Sequence, residues 1–462
     1  MVALLRDVHL SHEAVFNAKA LKDTIGIVRK RVSEEGIGFL TKTLPKLGKA
    51  LDSALSGKDR VDCTAVGFEP ADHGVAYPKF LGELFKHVLH SDGTALLDTL
   101  ILEEVKLSPS GDACDGDGEI CYPCSRLTCL GENVAERLVV SRNVVTSYIG
   151  ILRQICYCFY KYQMKYSSAD EQKVIDQFKS TEDDLYASEE VSLSWRTYFD
   201  SGAVKFHTYE LNSSRNSGAI LRRARIALQR VLRGLDLDNI YPKHGPGVVS
   251  TGETPWGKYM FRNVSSRITD VYPFDAYFCA SVGHVCDTYR EFNPDTASLP
   301  AQVILVPKDS RGPRLISCEP LDNQWIQQGI RAALYKRVES HPLTRGNVFF
   351  TDQQPNRDMA QVGSCNGHLA TLDLKEASDR IGLELVRLLF PPELVLRLEC
   401  CRSESTVLPD GSEIKLRKFA PMGSALCFPI MALTVWALLY AGSLDAGVRE
   451  DICVYGDDVI VP

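Results

Sequence analysis

Ile452-Cys453-Val454-Tyr455-Gly456-Asp457-Asp458-Val459-Ile460-Val461-Pro462 is the stretch on which the fold is read. Two short apolar runs flank a tight turn, which predicts a hairpin with Asp457 and Asp458 at its tip. Adjacent carboxylates repel each other, and each disfavours ionisation of its neighbour unless cations intervene. Divalent metals with oxygen ligands would supply those cations. Alone, an acidic hairpin turn reads most simply as a solvated turn, so its weight depends on what precedes it.

Working outward, residues 425–442 form an uncharged apolar stretch at the lower length limit for a membrane span. Pro429, Thr434 and the absence of a basic flank favour a buried core helix instead. The loop Phe419-Ala-Pro-Met422-Gly423-Ser424 feeds that helix. Gly423 permits close backbone approach to a ligand, and Ser424 stands where a helix would be capped. A hairpin is expected around Pro409-Asp410-Gly411. Earlier, the apolar residues 369–372 read as a core strand ending in Asp373. Ser378 or Asp379 could cap the helix that follows. Further upstream, residues 303–317 predict a strand–turn–strand carrying Lys308, Arg311 and Arg314. Arginine binds phosphate oxygens bidentately and lysine supplies a compact charge. Solvated basic hairpins are common, so this element is weak by itself.

The order of these elements carries more than any one of them. A basic hairpin, a strand-end carboxylate, a glycine loop with a helix, and a paired-aspartate hairpin are the parts that nucleotidyl transfer needs. Two metals about 3.5–4 Å apart activate a 3′-hydroxyl and stabilise the leaving group, and cations neutralise the triphosphate.

These motifs resemble those of the RNA-dependent RNA polymerases, in particular the replicase catalytic subunits of levivirus-like positive-strand RNA bacteriophages. Residues 303–330 resemble the nucleotide-entry motif, 351–380 the stretch leading into motif A, 419–428 motif B, and 455–462 motif C. The resemblance runs from about residue 300 onward. It implies an α+β, right-hand polymerase with a large helical fingers region and a palm built on an antiparallel sheet. Residues 1–345 would form the N-terminal and fingers region, including the basic hairpin 303–317. Residues 346–462 would form the palm. The thumb is expected to be largely missing, because the sequence closes soon after motif C, and the chain is expected to be C-terminally truncated.

By the same resemblance, Asp373 and Asp457 would bind two Mg²⁺ ions, with Asp458 beside them and Mn²⁺ as a substitute. Lys308, Arg311 and Arg314 would meet the triphosphate. Gly423 would line the nucleotide site, and Asp379 and Ser424 would read the ribose 2′-hydroxyl. Some members carry Asn where Ser424 stands; serine still donates and accepts a hydrogen bond. The implied partners are single-stranded RNA template, nascent RNA and nucleoside triphosphates. Some phage replicases also recruit host elongation factors Tu and Ts and a ribosomal protein. The implied location is the cytoplasm of an infected bacterium. The competing readings are a reverse transcriptase, disfavoured by Gly456, Asp379 and Ser424, and an RNA-binding fragment without catalysis.

Bulk properties agree with a large globular protein: 462 residues, 45% hydrophobic and 24% charged. A net charge of −7 does not point to nucleic acid, although it leaves a local basic groove open. The 15 cysteines follow no export signal, so reduced thiols are expected. Cys114, Cys121, Cys124 and Cys129 cluster, with a zinc-knuckle spacing at 121–124 but irregular partners. Free thiols are the simpler reading. Residues 115–119 hint at a calcium loop, but Ile120 stands where the turn glycine is needed. A long helix is expected over 133–166. An amphipathic one is expected over 218–235, with Leu221, Ala224, Leu228, Val231 and Leu235 on its apolar stripe and five arginines opposite. Those arginines fit either a solvated face or RNA backbone contacts. His244-Gly-Pro-Gly247 opens a loop with a weaker family likeness.

Overall fold

Helices dominate the computed structural model, which describes residues 1–57, 59–96, 132–162, 165–201, 211–288, 293–309, 312–447 and 452–462. The chain forms two units, one of residues 1–167 with 307–312 and one of 168–306 with 313–462. Residue 346, where the sequence suggests a border between fingers and palm, lies inside the second unit.

The first unit is built on α1 (Val2–Ser11), α2 (Ala18–Glu35), α3 (Leu44–Leu55) and α4 (Glu132–Tyr157). Apolar residues of α3 recur at helical spacing, so Leu44, Leu47 and Leu51 are fully buried on one face. They join Leu5, Phe16, Phe39, Phe85, Leu152 and Ile155 in one core. The helix expected over 133–166 ends instead at Tyr157.

The second unit holds α5 (Ser168–Ser201), α6 (Leu211–Leu232), α7 (Leu321–Ser340), α8 (Gln354–Asn366), α9 (Leu383–Leu389), α10 (Pro392–Cys400) and α11 (Cys427–Ala446). Besides a two-stranded parallel pair, Asn263–Ser265 with Asn293–Thr296, its strands include β1 (Ala301–Asp309), β2 (Gly312–Cys318), β3 (Ala370–Asp373), β4 (Ser405–Val407), β5 (Glu413–Lys415), β6 (Cys453–Tyr455) and β7 (Asp458–Val461). The residues of β1 and β2 around their turn, 307–312, group with the first unit. Helix and small sheets together make the chain α+β.

Helix α11 is apolar on all sides, which requires burial. Ile430, Leu433, Trp436, Ala437 and Ala441 are fully enclosed in the core of this unit. It is, among the described residues, the one helix long and apolar enough to cross a membrane; its enclosure makes it the expected core helix. Helix α6 packs along it through Ala224, Leu228 and Val231, the stripe read from sequence. On the opposite face Arg223 pairs with Asp445, and Arg225 pairs with Asp200 at 2.7 Å. Arg222, Arg230 and Arg233 are exposed.

Two sheets matter for the site. In one the order is β2-β1-β4-β5, with β1 and β4 parallel and the β4–β5 hairpin turning at Pro409-Asp410-Gly411 as expected. In the other the order is β3-β7-β6, and both pairings are antiparallel. Residues 347–349 bond to β6: Phe349 N–H donates to the Val454 carbonyl at 3.0 Å, and Val454 N–H to that of Asn347 at 2.8 Å. That edge is therefore covered. Strand β3 forms the other edge, and all four of its residues are exposed. The core strand expected at 369–372 is an edge strand instead, because its only partner among the described residues is β7.

The His244 loop folds over aromatic rings. The imidazole lies 4.7 Å from the Trp325 ring centroid and 6.0 Å from that of Phe261. Burial holds its pKa down to about 4. A histidine neutral in the fold but protonated in the open chain binds fewer protons when folded, so stability falls with acidification. Loss begins near the ordinary value of about 6.5 and levels off below about 4. The full effect should be about 2 kcal/mol once solvent screening is allowed for. Urea unfolding of wild type and His244→Phe at pH 7.5 and pH 5 measures it. The variant should lose less stability between the two; equal losses would show that His244 does not carry the acid sensitivity.

Candidate active site

The paired-aspartate hairpin forms as the apolar runs require. Cys453 faces Ile460, Val454 faces Val459, and Tyr455 faces Asp458 across β6 and β7. Val454, Val459 and Ile460 are buried, whereas Asp457 and Asp458 are exposed. Gly456 turns the chain at φ +66°, and a Cβ there would lie 2.3 Å from Cε2 of Phe428 at the start of α11. Both the dihedral and the contact select glycine.

Strand β3 brings the third carboxylate. Asp373 is in register with Asp458, so their side chains project from the same face of the sheet, with Cβ atoms about 5 Å apart. Both line a cleft of about 350 Å³ together with Gln353, Asn356, Arg357 and Thr371. Gln353 donates to Asp458 Oδ2 at 2.9 Å, and Asn356 donates to the Asp458 carbonyl at 2.9 Å. Partial burial raises the Asp458 carboxyl above its ordinary pKa, and the Asp457 and then the Asp373 charge push the same way; the Gln353 hydrogen bond opposes them. Asp457 stands on the turn itself.

Three repelling carboxylates on adjacent strands suit a hard cation. Among the described residues, no group of three His, Cys, Asp or Glu side chains closes on a single point. Mg²⁺ retains water and commonly takes one or two carboxylates plus substrate phosphates, so this donor set fits it without a finished cage.

The glycine loop is held against β2. Ser317 N–H donates to the Met422 carbonyl at 2.8 Å, and a Cβ on Gly423, at φ +128°, would sit 2.0 Å from the Ser317 carbonyl oxygen. Ser424 is buried; its hydroxyl bonds Gln327 Oε1 at 3.0 Å and accepts from Leu426 N–H at 3.3 Å. Helix α11 begins at Cys427 with Leu426 as its N-cap and no side-chain cap, so Ser424 braces the loop before the helix and does not cap it.

Asp379 lies in a short turn at Ser378–Arg380, reached after Glu376 adopts φ +54°. Helix α9 begins only at Leu383 with Gly382 as its N-cap, so neither Ser378 nor Asp379 caps it. Asp379 Oδ1 instead faces Lys418 Nζ at 3.2 Å. Arg314 is exposed on β2. Lys308 belongs to the first unit, where its N–H donates to the Tyr166 hydroxyl at 2.8 Å. Arg311 and the cysteines at 114, 121, 124 and 129 lie outside the described residues.

Gln353, Asn356 and Lys418 were not singled out from sequence. The only signal for the first two is their place in the 351–357 stretch; Lys418 follows a β-strand with no distinguishing pattern.

Comparison with known proteins shows what these elements are similar to. Residues 273–462 match the family described as RNA replicase, beta-chain. Among its relatives, the RNA-directed RNA polymerase beta chain of Escherichia phage MS2 is 36% identical over 160 residues, covering 35% of this chain and 28% of the relative. The RNA-directed RNA polymerase subunit beta of Qbeta virus (strain MX1) is 38% identical over 164 residues, or 35% of this chain and 27% of the relative. That of Enterobacteria phage SP is 37% identical over 163 residues. The match thus spans little more than a quarter of these relatives' lengths.

Proposed function

We propose that the chain is an RNA-directed RNA polymerase that copies a positive-strand RNA phage genome by nucleotidyl transfer. The observation that carries this reading is the register of Asp373 with Asp458 beside Asp457, inside the segment that matches the replicase family. In this reading the second unit contains the palm, with 346–462 as its body, in a right-hand architecture with fingers before it.

Two Mg²⁺ ions, when bound, supply activation of the 3′-hydroxyl and charge neutralisation at the α-phosphate; Mn²⁺ could replace them. The chain's own residues do the rest. Asp457 and Asp458 on the β6–β7 hairpin and Asp373 on β3 would hold the ions. Gln353 orients the Asp458 carboxylate. Gly423 keeps the loop backbone close to β2, and by the family resemblance it would line the nucleotide site. Asp379 accepts the ribose 2′-hydroxyl, with Ser424 fixing the loop that faces it. By the family resemblance, Lys308, Arg311 and Arg314 would meet the triphosphate. The partners are single-stranded template RNA and nucleoside triphosphates in the cytoplasm of an infected bacterium, with host elongation factors Tu and Ts and a ribosomal protein as accessory subunits.

The test is synthesis by the purified chain on a short single-stranded RNA with Mg²⁺ and either ribo- or deoxynucleoside triphosphates. Ribonucleotide incorporation supports the reading. A preference for deoxynucleotides would favour a reverse transcriptase, and RNA binding with no synthesis would favour a binding fragment.

A further inference from the structure

Lys418 is fully buried, an uncommon place for an ammonium group. Its Nζ lies 3.2 Å from Asp379 Oδ1 and 3.2 Å from Glu182 Oε1, and 3.6 Å from the centroid of the Phe178 ring. One cation therefore serves two carboxylates and a π face, an arrangement that satisfies a buried charge. The main chain around it is fixed as well. Glu182 Oε2 accepts from the Arg417 N–H at 2.6 Å and the Lys418 N–H at 3.3 Å. The buried Arg402 donates to the carbonyls of Leu416, Lys418 and Phe419 at 2.6–2.8 Å.

Asp379 differs from Glu182 in one respect: its side chain is 25% exposed against 6%. The ammonium thus holds one oxygen of a carboxylate that still reaches solvent. Glu182 and Phe178 come from α5, outside the segment matched to the replicase family, whereas Asp379 and Lys418 lie inside it. Other α5 residues continue the contact: Asp184 pairs with Arg380 at 3.2 Å, and Glu189 pairs with Arg417 at 3.4 Å. Glu182, Tyr186 and Glu189 share one helix face by their spacing.

We propose that Lys418 is the positioning residue for Asp379. Braced from behind by Glu182 and Phe178 of α5, its ammonium fixes the carboxylate as the acceptor for a ribose 2′-hydroxyl. The inference rests on the nucleotidyl-transfer reading and assigns sugar discrimination in part to a helix outside the family match. Without the ammonium, Asp379 keeps its place in the chain but loses the charge that orients it.

The test is calorimetric titration of the full chain, with template RNA and Mg²⁺, using ATP and 2′-deoxy-ATP. Lys418→Met should reduce the preference for ATP about tenfold, the scale of one charge-assisted hydrogen bond, by weakening ATP while leaving 2′-deoxy-ATP unchanged. Lys418→Arg should retain most of the preference. Because Lys418→Met strands two carboxylates and could impair folding, Lys418→Met/Glu182→Gln is measured beside it; it removes one of them and should show the same loss in a folded protein. An unchanged preference in a folded variant, or equal weakening of both nucleotides, overturns the positioning role and leaves the polymerase reading standing. Equal affinity of wild type for the two nucleotides overturns the role of Asp379 and this proposal with it. No nucleotide binding by wild type overturns the nucleotidyl-transfer reading itself.

Discussion

Asp457→Asn and Asp373→Asn should each reduce ribonucleotide incorporation on the order of a thousandfold, about 4 kcal/mol of transition-state stabilisation. Each substitution keeps the shape of the side chain and removes one negative charge. The loss therefore falls on cation binding rather than on packing. Asp457 is exposed on its turn and Asp373 on an edge strand, so unfolding free energies should stay within about 0.5 kcal/mol of wild type. Primer extension at saturating Mg²⁺, with urea unfolding of the same preparations, separates the two quantities. Activity within a few-fold of wild type in either variant would remove that carboxylate from the catalytic set. A comparable loss of stability would mean that the residue supports the hairpin instead.

The largest effect on stability should come from Gly423→Ala. The backbone there has φ +128°, and the added Cβ would meet the Ser317 carbonyl oxygen at 2.0 Å. The obstacle is the main chain of a strand, not the end of a movable side chain. Dihedral strain and overpacking together should lower stability by roughly 3–5 kcal/mol, or free the loop from β2 with loss of the Ser317–Met422 hydrogen bond. Gly442→Ala is the control. Its Cβ would meet nothing within 4 Å in α11, so the change should be neutral or stabilising by up to about 1 kcal/mol. Urea midpoints decide the matter. Equal behaviour of the two variants would show that the close approach at Gly423 is not maintained in solution.

Those parts of the site that depend on local sequence were legible before the structure. The hairpin at Asp457 and Asp458 follows from two apolar runs and a glycine, and α11 follows from an uninterrupted apolar stretch. The turn at Pro409-Asp410-Gly411 follows from residue preferences alone. Pairing was not legible, since alternation shows which residues share a face but not which strand lies opposite. Asp373 was picked out for its place at a strand end, yet its register with Asp458 had to be observed. The same gap made β3 read as a core strand: Leu369 to Leu372 look apolar enough, and only the sheet order reveals an edge. Lys418 and Glu182 are 236 residues apart at their hydrogen bond, and Gln353 is 105 residues from Asp458; no periodicity links such positions. Helix α5 escaped notice for a related reason. It carries buried residues at Ile175, Phe178 and Leu185, but acidic and hydroxyl residues interrupt the stripe.

The close approach of Gly456 to Phe428 joins the acidic turn to the apolar core helix α11. Strand β7 is the middle strand of its sheet, and Val459 and Ile460 are each 2% exposed. Amide protons of those two residues should exchange with solvent deuterium only through global unfolding, whereas those of the edge strand β3 should exchange through small local openings. Strand β7 is thus slow on the exchange timescale, and β3 beside it is fast. Any ordering that a bound nucleotide brings should therefore register as protection gained at Thr371 and Leu372, with the rates at Val459 and Ile460 left where they began.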